Sequence, residues 1–192
     1  MILGITGGTG CGKTTLLNTI AEAGGLILDC DAIYHDLLRT DATLLSAIEE
    51  RFPGTVEEGA LQRKKLGAIV FADKEALLDL NTITHSAVRQ AVQKQLASRP
   101  SLAAIDAIAL FEGGLAELCD VTVAVTAPTD VRVQRLILRD GISEEYARSR
   151  IAAQHEENWF RKRCDCILEN NGTQVQFREK CLAFLHDWGI II

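Results

Sequence analysis

The stretch Gly7-Gly8-Thr9-Gly10-Cys11-Gly12-Lys13-Thr14 limits what this chain can fold into more than any other part of it. Its glycines permit backbone conformations that a side chain forbids, so successive N–H groups can turn inward and form a cradle for an anion. Ile2, Leu3 and Ile5 make a short apolar strand before the loop, and Thr15-Leu16-Leu17-Asn18-Thr19-Ile20 continues as a helix after it. A helix that begins near Lys13 points its positive end at whatever the loop holds. In the pattern glycine, four residues, Gly-Lys-Thr, the lysine reaches the β- and γ-phosphates and the Thr14 hydroxyl ligates Mg²⁺. Gly8, Thr9, Gly10, Cys11, Gly12, Lys13, Thr14 and Thr15 are therefore the expected nucleotide contacts. The chain is expected to bind a nucleoside triphosphate on a parallel α/β sheet.

The totals fit one domain with room for an inserted subdomain: 192 residues, 47% of them hydrophobic. A formal charge of −6 argues against a nucleic-acid-wrapping surface. The first strand begins at Ile2, which leaves no room for a signal peptide, and no apolar run approaches the roughly 20 residues of a membrane span. Six cysteines in such a chain read as reduced thiols, and the expected location is the cytoplasm. Cys164 and Cys166 have no second pair at zinc-ligand spacing and read as plain thiols.

After the first helix, Gly24-Gly25 is a stop signal, and Leu26-Ile27-Leu28 is a short buried strand ending in Asp29-Cys30-Asp31. From Ala32 to about Pro100 the pattern is helical. Leu37, Leu38, Leu44, Leu45 and Ile48 suit one or two helices, Phe52-Pro53-Gly54 is a break, a second run opens at Gly59, and a third spans Lys74 to Leu96. That is too much for an ordinary crossover between parallel strands, and it predicts an inserted helical subdomain over residues 32–100. Strands return at Leu102–Phe111 and at Val121–Val125. Thr129 or Asp130 caps the next helix, Ser143 starts another, and Cys166-Ile167-Leu168 is a last strand. A closing helix carries Phe177, Cys181, Leu185 and Trp188 on one stripe. The expected architecture is a three-layer α/β fold with a five-stranded parallel sheet. Its nucleotide core comprises residues 1–31 and 101–192, with a helical lid at about 140–160.

Ligands of open α/β sheets bind beyond the carboxyl ends of the strands, which gives three further stretches a meaning. Asp31 can take a proton from an attacking hydroxyl, while Asp29 orients or caps the following helix. Glu112, read as the end of the third strand, either holds magnesium waters, contacts the acceptor or is a solvated acid; Gly113 and Gly114 beside it allow close approach of a ligand or another backbone. Arg132, Arg135 and Arg139 lie along one helix face and can neutralise phosphate charge, Arg139 foremost because it enters the lid. The run Arg161-Lys162-Arg163 reads as a solvated face. In the insert, His85 with Arg89, or Arg63-Lys64-Lys65, could receive an anionic acceptor.

Together these stretches resemble the dephospho-coenzyme A kinase family over nearly the whole chain. The resemblance runs through Thr6 to Thr14, Asp29-Cys30-Asp31, Leu61 to Leu66 with Val70-Phe71, and Ile83-Thr84-His85. It continues through Leu110-Phe111-Glu112, Gln134-Arg135-Leu136 with Arg139-Asp140, Gln154, and Asp165 with Asn170 and Gly172. It implies ATP-dependent phosphorylation of the ribose 3′-hydroxyl of dephospho-coenzyme A, with Mg²⁺. Asp31, Lys13 and Arg139 would be catalytic, and Asn170 and Gly172 would join the ATP contacts. Arg63, His85, Leu110, Glu112 and Gly113 would join Asp31 at the acceptor, with Thr14 and Glu112 near the metal. Ser86, and Ala107-Ile108-Ala109 before Leu110, depart from the usual prolines, and Cys11 and Cys30 replace the usual Ser and Ala. A different small-molecule kinase is the nearest alternative, while a GTPase-like switch lacks its Asn-Lys-x-Asp motif. Cys11 at a helix N-terminus and Cys30 on the next strand end would make a redox-sensitive pair if their Cα atoms came within disulfide reach, but two unreactive small residues are the favoured reading.

Overall fold

The computed structural model describes residues 1–191. From β1 (Ile2–Thr6) the chain passes through the phosphate loop into α1 (Lys13–Glu22) and then β2 (Leu26–Asp29). The insert follows as α2 (Cys30–Thr40), α3 (Ala42–Arg51), β3 (Val56–Glu57), β4 (Ala60–Leu61), α4 (Arg63–Val70) and α5 (Lys74–Leu96). After it come β5 (Ala103–Asp106), a 3₁₀ turn at Leu115–Leu118, β6 (Val121–Thr126) and α6 (Thr129–Asp140). The chain closes with α7 (Glu144–Ala152), α8 (Glu157–Arg161), β7 (Cys166–Glu169) and α9 (Gln174–Asp187).

The main sheet has five parallel strands in the order β2-β5-β1-β6-β7. The chain first builds β2 and β5 on one side of β1 and then crosses to β6 and β7 on the other. Such a reversal opens a crevice at the carboxyl ends of the central strands. There β1 runs out into the phosphate loop, and β5 ends at Asp106, in register with Asp29 of β2.

Both faces of the sheet are covered, which is why its strands read as nearly continuous apolar runs. On one face Leu3, Ile5, Ala104, Val123 and Val125 pack with Leu16 and Ile20 of α1 and Phe177, Cys181 and Leu185 of α9. On the other, Leu28 and Ile105 meet Val88 and Val92 of α5. Thr122 lies buried within β6, and its hydroxyl and N–H both donate to Asp165 Oδ2, at 2.7 and 2.8 Å, so no polar group there is left unpaired.

The insert has a core of its own, made by Leu38, Leu44, Ile48, Phe52, Leu66, Val70, Ala76 and Leu80. α5 belongs to both cores, with Ala76 and Leu80 in the insert and Val88 and Val92 against the sheet. Side-chain caps start most of these helices: Asp29 for α2, Asp41 for α3, Asp73 for α5, and Thr173 with Gln176 as a full capping box for α9.

Some sequence expectations need correcting. The strand expected over Leu102–Phe111 stops at Asp106. Beyond it Ala107 and Leu110 stay buried, but the backbone turns, with Gly113 and Gly114 N–H donating to Ala109 and Phe111 O at 2.9 and 3.0 Å. The apolar run here is a turn in which Ala107 and Leu110 point into the core while Ile108 is exposed. The insert also contains a two-stranded antiparallel ribbon, β3 with β4, where only helices were expected. Glu58 and Gly59 both have positive φ, 51° and 76°, as a two-residue hairpin turn requires, so the helical run starts at Arg63 and not at Gly59. Neither Thr129 nor Asp130 caps α6, whose N-cap is Pro128. Trp188 lies past the end of α9, and Phe184 takes its place on the buried stripe.

Candidate active site

The phosphate loop is held from behind by side chains that no local pattern announces. Arg132 Nε donates to Thr9 O at 2.9 Å, and Arg135 donates to Gly10 O and Cys11 O at 3.2 and 3.3 Å. Asn170, buried after β7, donates to Cys11 O at 2.8 Å and accepts from Arg135 at 3.0 Å. Gln154 Oε1 accepts from the Thr9 N–H at 2.8 Å and from Arg132 at 2.9 Å. The carbonyls of Thr9, Gly10 and Cys11 and the N–H of Thr9 are thus all held by side chains from α6, from just past α7 and from the end of β7. Gly12 shows why its position is glycine: φ is 97°, and a Cβ there would stand 2.2 Å from Asn170 Nδ2.

In front of the loop lies a cleft of about 630 Å³ lined by Gly8, Thr9, Gly10, Gly12, Lys13 and Thr14. Lys13, Arg135, Arg139 and Arg150 bring positive charge to it, and Asp31 and Asp106 bring negative charge. Lys13 Nζ donates to Gly7 O at 3.1 Å. Arg139 forms two bonds to Asp140, at 2.7 and 3.0 Å, and Arg150 from α7 reaches the same carboxylate at 2.9 Å. The Arg139 hydrogen bond, reinforced by Arg150, holds Asp140 down at a pKa of about 2.

A second cavity, of about 220 Å³, opens beside the first between α5 and the turn after β5. Leu80, Val88, Ala107, Ile108 and Leu115 make it apolar, while Tyr34, Asn81, Thr84 and His85 bring polar groups to its wall. Asp31 and Ile108 line both spaces. Asp31 stands in the first turn of α2, and the Asp29 carboxylate fixes that turn by accepting from the Ala32 N–H at 2.9 Å. Asp29 thus caps α2, one of the two parts expected of it, and leaves the Asp31 carboxylate facing both spaces.

Most of the residues singled out from the sequence converge here. Gly8, Thr9, Gly10, Gly12, Lys13, Thr14, Asp31 and Arg139 line the cleft, and Asp31, His85 and Gly113 line the cavity. Cys11 and Thr15 serve the loop through their backbones: Cys11 O is the acceptor just described, and Thr15 N–H donates to Gly12 O at 3.1 Å. Gly172 lies against Gln176, at the start of α9. Arg63 stands outside the cavity, 3.4 Å from His35 Nδ1. Leu110 is fully buried beneath the sheet.

Glu112 does not end a strand. It lies in the turn after β5 and lines neither space; its Oε1 is 2.7 Å from His155 Nε2. The carboxylate at the strand end is Asp106, which the overlong strand had hidden. Asp106 Oδ1 is buried without a hydrogen-bond partner. Burial, opposed by Lys13 and assisted by Asp29 and Asp31, pushes the Asp106 carboxyl up to about 6. A buried, unpartnered carboxylate oxygen in a cleft shared with the Thr14 hydroxyl fits a hard cation such as Mg²⁺, which takes few protein oxygens and several from phosphate and water. Arg150 also went unread, because it is far along the chain from the loop it faces.

Cys11 and Cys30 are both free, buried thiols. Cys11 packs on the α1 and α9 face of the sheet and Cys30 on the α5 face. Burial raises the Cys11 pKa in spite of Arg132 and Lys13, and burial with the charges of Asp106, Asp29 and Asp31 pushes Cys30 up to about 12. Neither thiol is readily ionised, so neither is a ready nucleophile. In the basic run, Arg161 pairs with Glu157 and Glu169, and Arg163 lies over the Trp159 ring.

Comparison with known proteins points one way. A family model for dephospho-CoA kinase matches residues 1–176. A dephospho-CoA kinase of Geobacillus kaustophilus is 36% identical, with 98% of this chain and 96% of that protein aligned. One from Corynebacterium diphtheriae is 34% identical over 90% of each. A crystal structure from Thermus thermophilus superposes with a TM-score of 0.82 at 32% identity, covering 98% of this chain and 97% of that one. The dephospho-CoA kinase of Campylobacter jejuni gives 0.69 at 27% identity, over 97% and 96%. Shikimate kinase from Acinetobacter baumannii shares the fold, with a TM-score of 0.54 at 20% identity, over 97% and 92%.

Proposed function

The chain belongs to the dephospho-CoA kinase family, and from that premise we infer how its cleft and cavity divide one reaction between them. It transfers the γ-phosphoryl group of ATP to the ribose 3′-hydroxyl of dephospho-CoA, giving CoA and ADP, the last step of CoA synthesis. The observation that carries the assignment of roles is that Asp31 faces both spaces. ATP lies in the cleft with its phosphates on the loop N–H groups, and the acceptor enters from the cavity side.

Phosphoryl transfer asks for alignment and charge neutralisation more than for covalent chemistry. The Asp31 carboxylate accepts the proton of the attacking hydroxyl and holds it in line. Lys13, Arg139 and Arg150 balance charge on the phosphate oxygens. Thr14 and Asp106 are the groups that would hold magnesium, which when bound with ATP neutralises phosphate charge. This moves the metal-facing carboxylate from Glu112 to Asp106. Arg132, Arg135 and Asn170 keep the loop in shape, and α7 with α8 acts as the lid that excludes water. The insert, residues 32–100, supplies the acceptor wall through Tyr34, Thr84 and His85, with Arg63 outside it for an anionic arm. Six free cysteines suit a reducing cytoplasm, and no helix among the described residues is long and apolar enough to cross a membrane.

The test is coupled ADP release with Mg-ATP, offering dephospho-CoA, nucleosides, nucleoside monophosphates or no acceptor. The expected signal appears only with dephospho-CoA. Asp31→Asn is expected to lower kcat at least about 100-fold with nucleotide affinity retained, the scale of a lost general base. An Asp31→Asn variant of near-normal kcat removes Asp31 from the role given to it.

A further inference from the structure

Two consecutive residues at the end of the lid reach in different directions. Gln154, just past α7, accepts from the Thr9 N–H of the phosphate loop at 2.8 Å. His155 reaches instead toward the turn after β5, where its Nε2 lies 2.7 Å from Glu112 Oε1. That turn is the acceptor cavity's wall, through Ala107, Ile108, Ala109 and Gly113. The His155 ring is held in place by stacking flat on Trp159, with centroids 3.8 Å apart and planes within 2°. Trp159 meets Phe111 of the same turn edge-on at 5.5 Å, and the Arg163 guanidinium lies 4.3 Å from the Trp159 ring centre.

We propose that His155 is a positioning residue that, through Glu112, ties the wall of the acceptor cavity to the phosphate loop, so that each substrate strengthens the binding of the other. The inference rests on reading that cavity as the acceptor site. Gln154 and His155 are joined by one planar peptide, with their Cα atoms about 3.8 Å apart, so a backbone movement at either residue is passed directly to the other. A ring stacked on a tryptophan has little freedom to absorb the movement. Acceptor that settles the 107–113 wall therefore settles the Thr9 N–H as well, and nucleotide on the loop settles the wall. Thermodynamic linkage makes the two effects equal in size. A joint made of one partly exposed hydrogen bond and one ring stack is expected to give a coupling of about five- to tenfold, the low end of the usual range.

The experiment measures the affinity of Mg²⁺ with a non-hydrolysable ATP analogue by calorimetry, with and without saturating dephospho-CoA. Wild type is compared with His155→Phe, Glu112→Ala and the double variant. His155→Phe keeps a ring to stack on Trp159 and loses the bond to Glu112. The expected result is tighter nucleotide binding with acceptor present in wild type and little or no such gain in either single variant. Because both changes break one bond, the double variant should lose no more than either. In turnover assays both KM values should rise while kcat stays within about twofold, and His155→Gln, which keeps a donor, should recover part of the coupling. Full coupling in His155→Phe, or no coupling in wild type that binds both ligands, overturns the proposal and leaves the reaction assignment intact. Failure of wild type to bind dephospho-CoA at all overturns the acceptor assignment beneath it.

Discussion

Burial, with Oδ1 left without a hydrogen-bond partner, pushes the Asp106 carboxyl up to about 6 against the pull of Lys13, and the charges of Asp29 and Asp31 add to the shift. In the unfolded chain the same carboxyl titrates near 3.9. Between about pH 4 and 6 the folded state therefore holds the extra proton, so this residue's contribution to stability falls as pH rises through that window and levels off above it. The sign gives a test on metal-free protein. Urea midpoints of Asp106→Asn and wild type should diverge from pH 4 to 6, the variant ending more stable at neutral pH by up to about 3 kcal/mol. Its kcat should fall at least about 100-fold, since a group that costs stability and lies in the phosphate cleft is kept for chemistry. An asparagine variant no more stable than wild type at pH 7.5 would contradict this account.

On α6 three arginines share a face, yet they do different work. Arg132 and Arg135 hold the loop's carbonyls, and only Arg139 of the three is turned to Asp140. A lysine cannot reproduce the fork with which Arg135 reaches Gly10 O, Cys11 O and Asn170 together. Arg135→Lys is expected to raise the KM for ATP about tenfold with kcat nearly unchanged, read from initial rates at saturating acceptor. Such contacts were illegible in the sequence because they join residues far apart in the chain, and helical spacing gives a face without saying what the face meets. What could be read were the elements with strong local signals. The loop with β1 and α1, the strands β2, β6 and β7, and α5 stand where their periodicity and stop signals placed them. Asp31 was legible because it follows a strand. Asp106 was not, because Ala107-Ile108-Ala109-Leu110-Phe111 carries the composition of a strand without its geometry.

Across the whole molecule, the insert's separate core predicts a separable loss of function. Phe52 is fully buried at its centre, and Phe52→Ala should cost about 3–5 kcal/mol there. Hydrogen exchange should then show lost protection over residues 42–78, with β1, β5 and β6 still protected. Acceptor binding should weaken far more than nucleotide binding, and equal weakening would make the two cores one unit. The strand order carries a further consequence, for the sequence of events in folding. β1 and β2 share no hydrogen bonds with each other, because β5 lies between them. That middle strand is synthesised only after the entire insert. A growing chain that has emerged as far as Leu96 therefore has its nucleotide loop and its first acidic turn but no sheet to mount them on. Two unpaired strand edges wait for a third, and folding is expected to be slow and sensitive to anything that occupies the gap first.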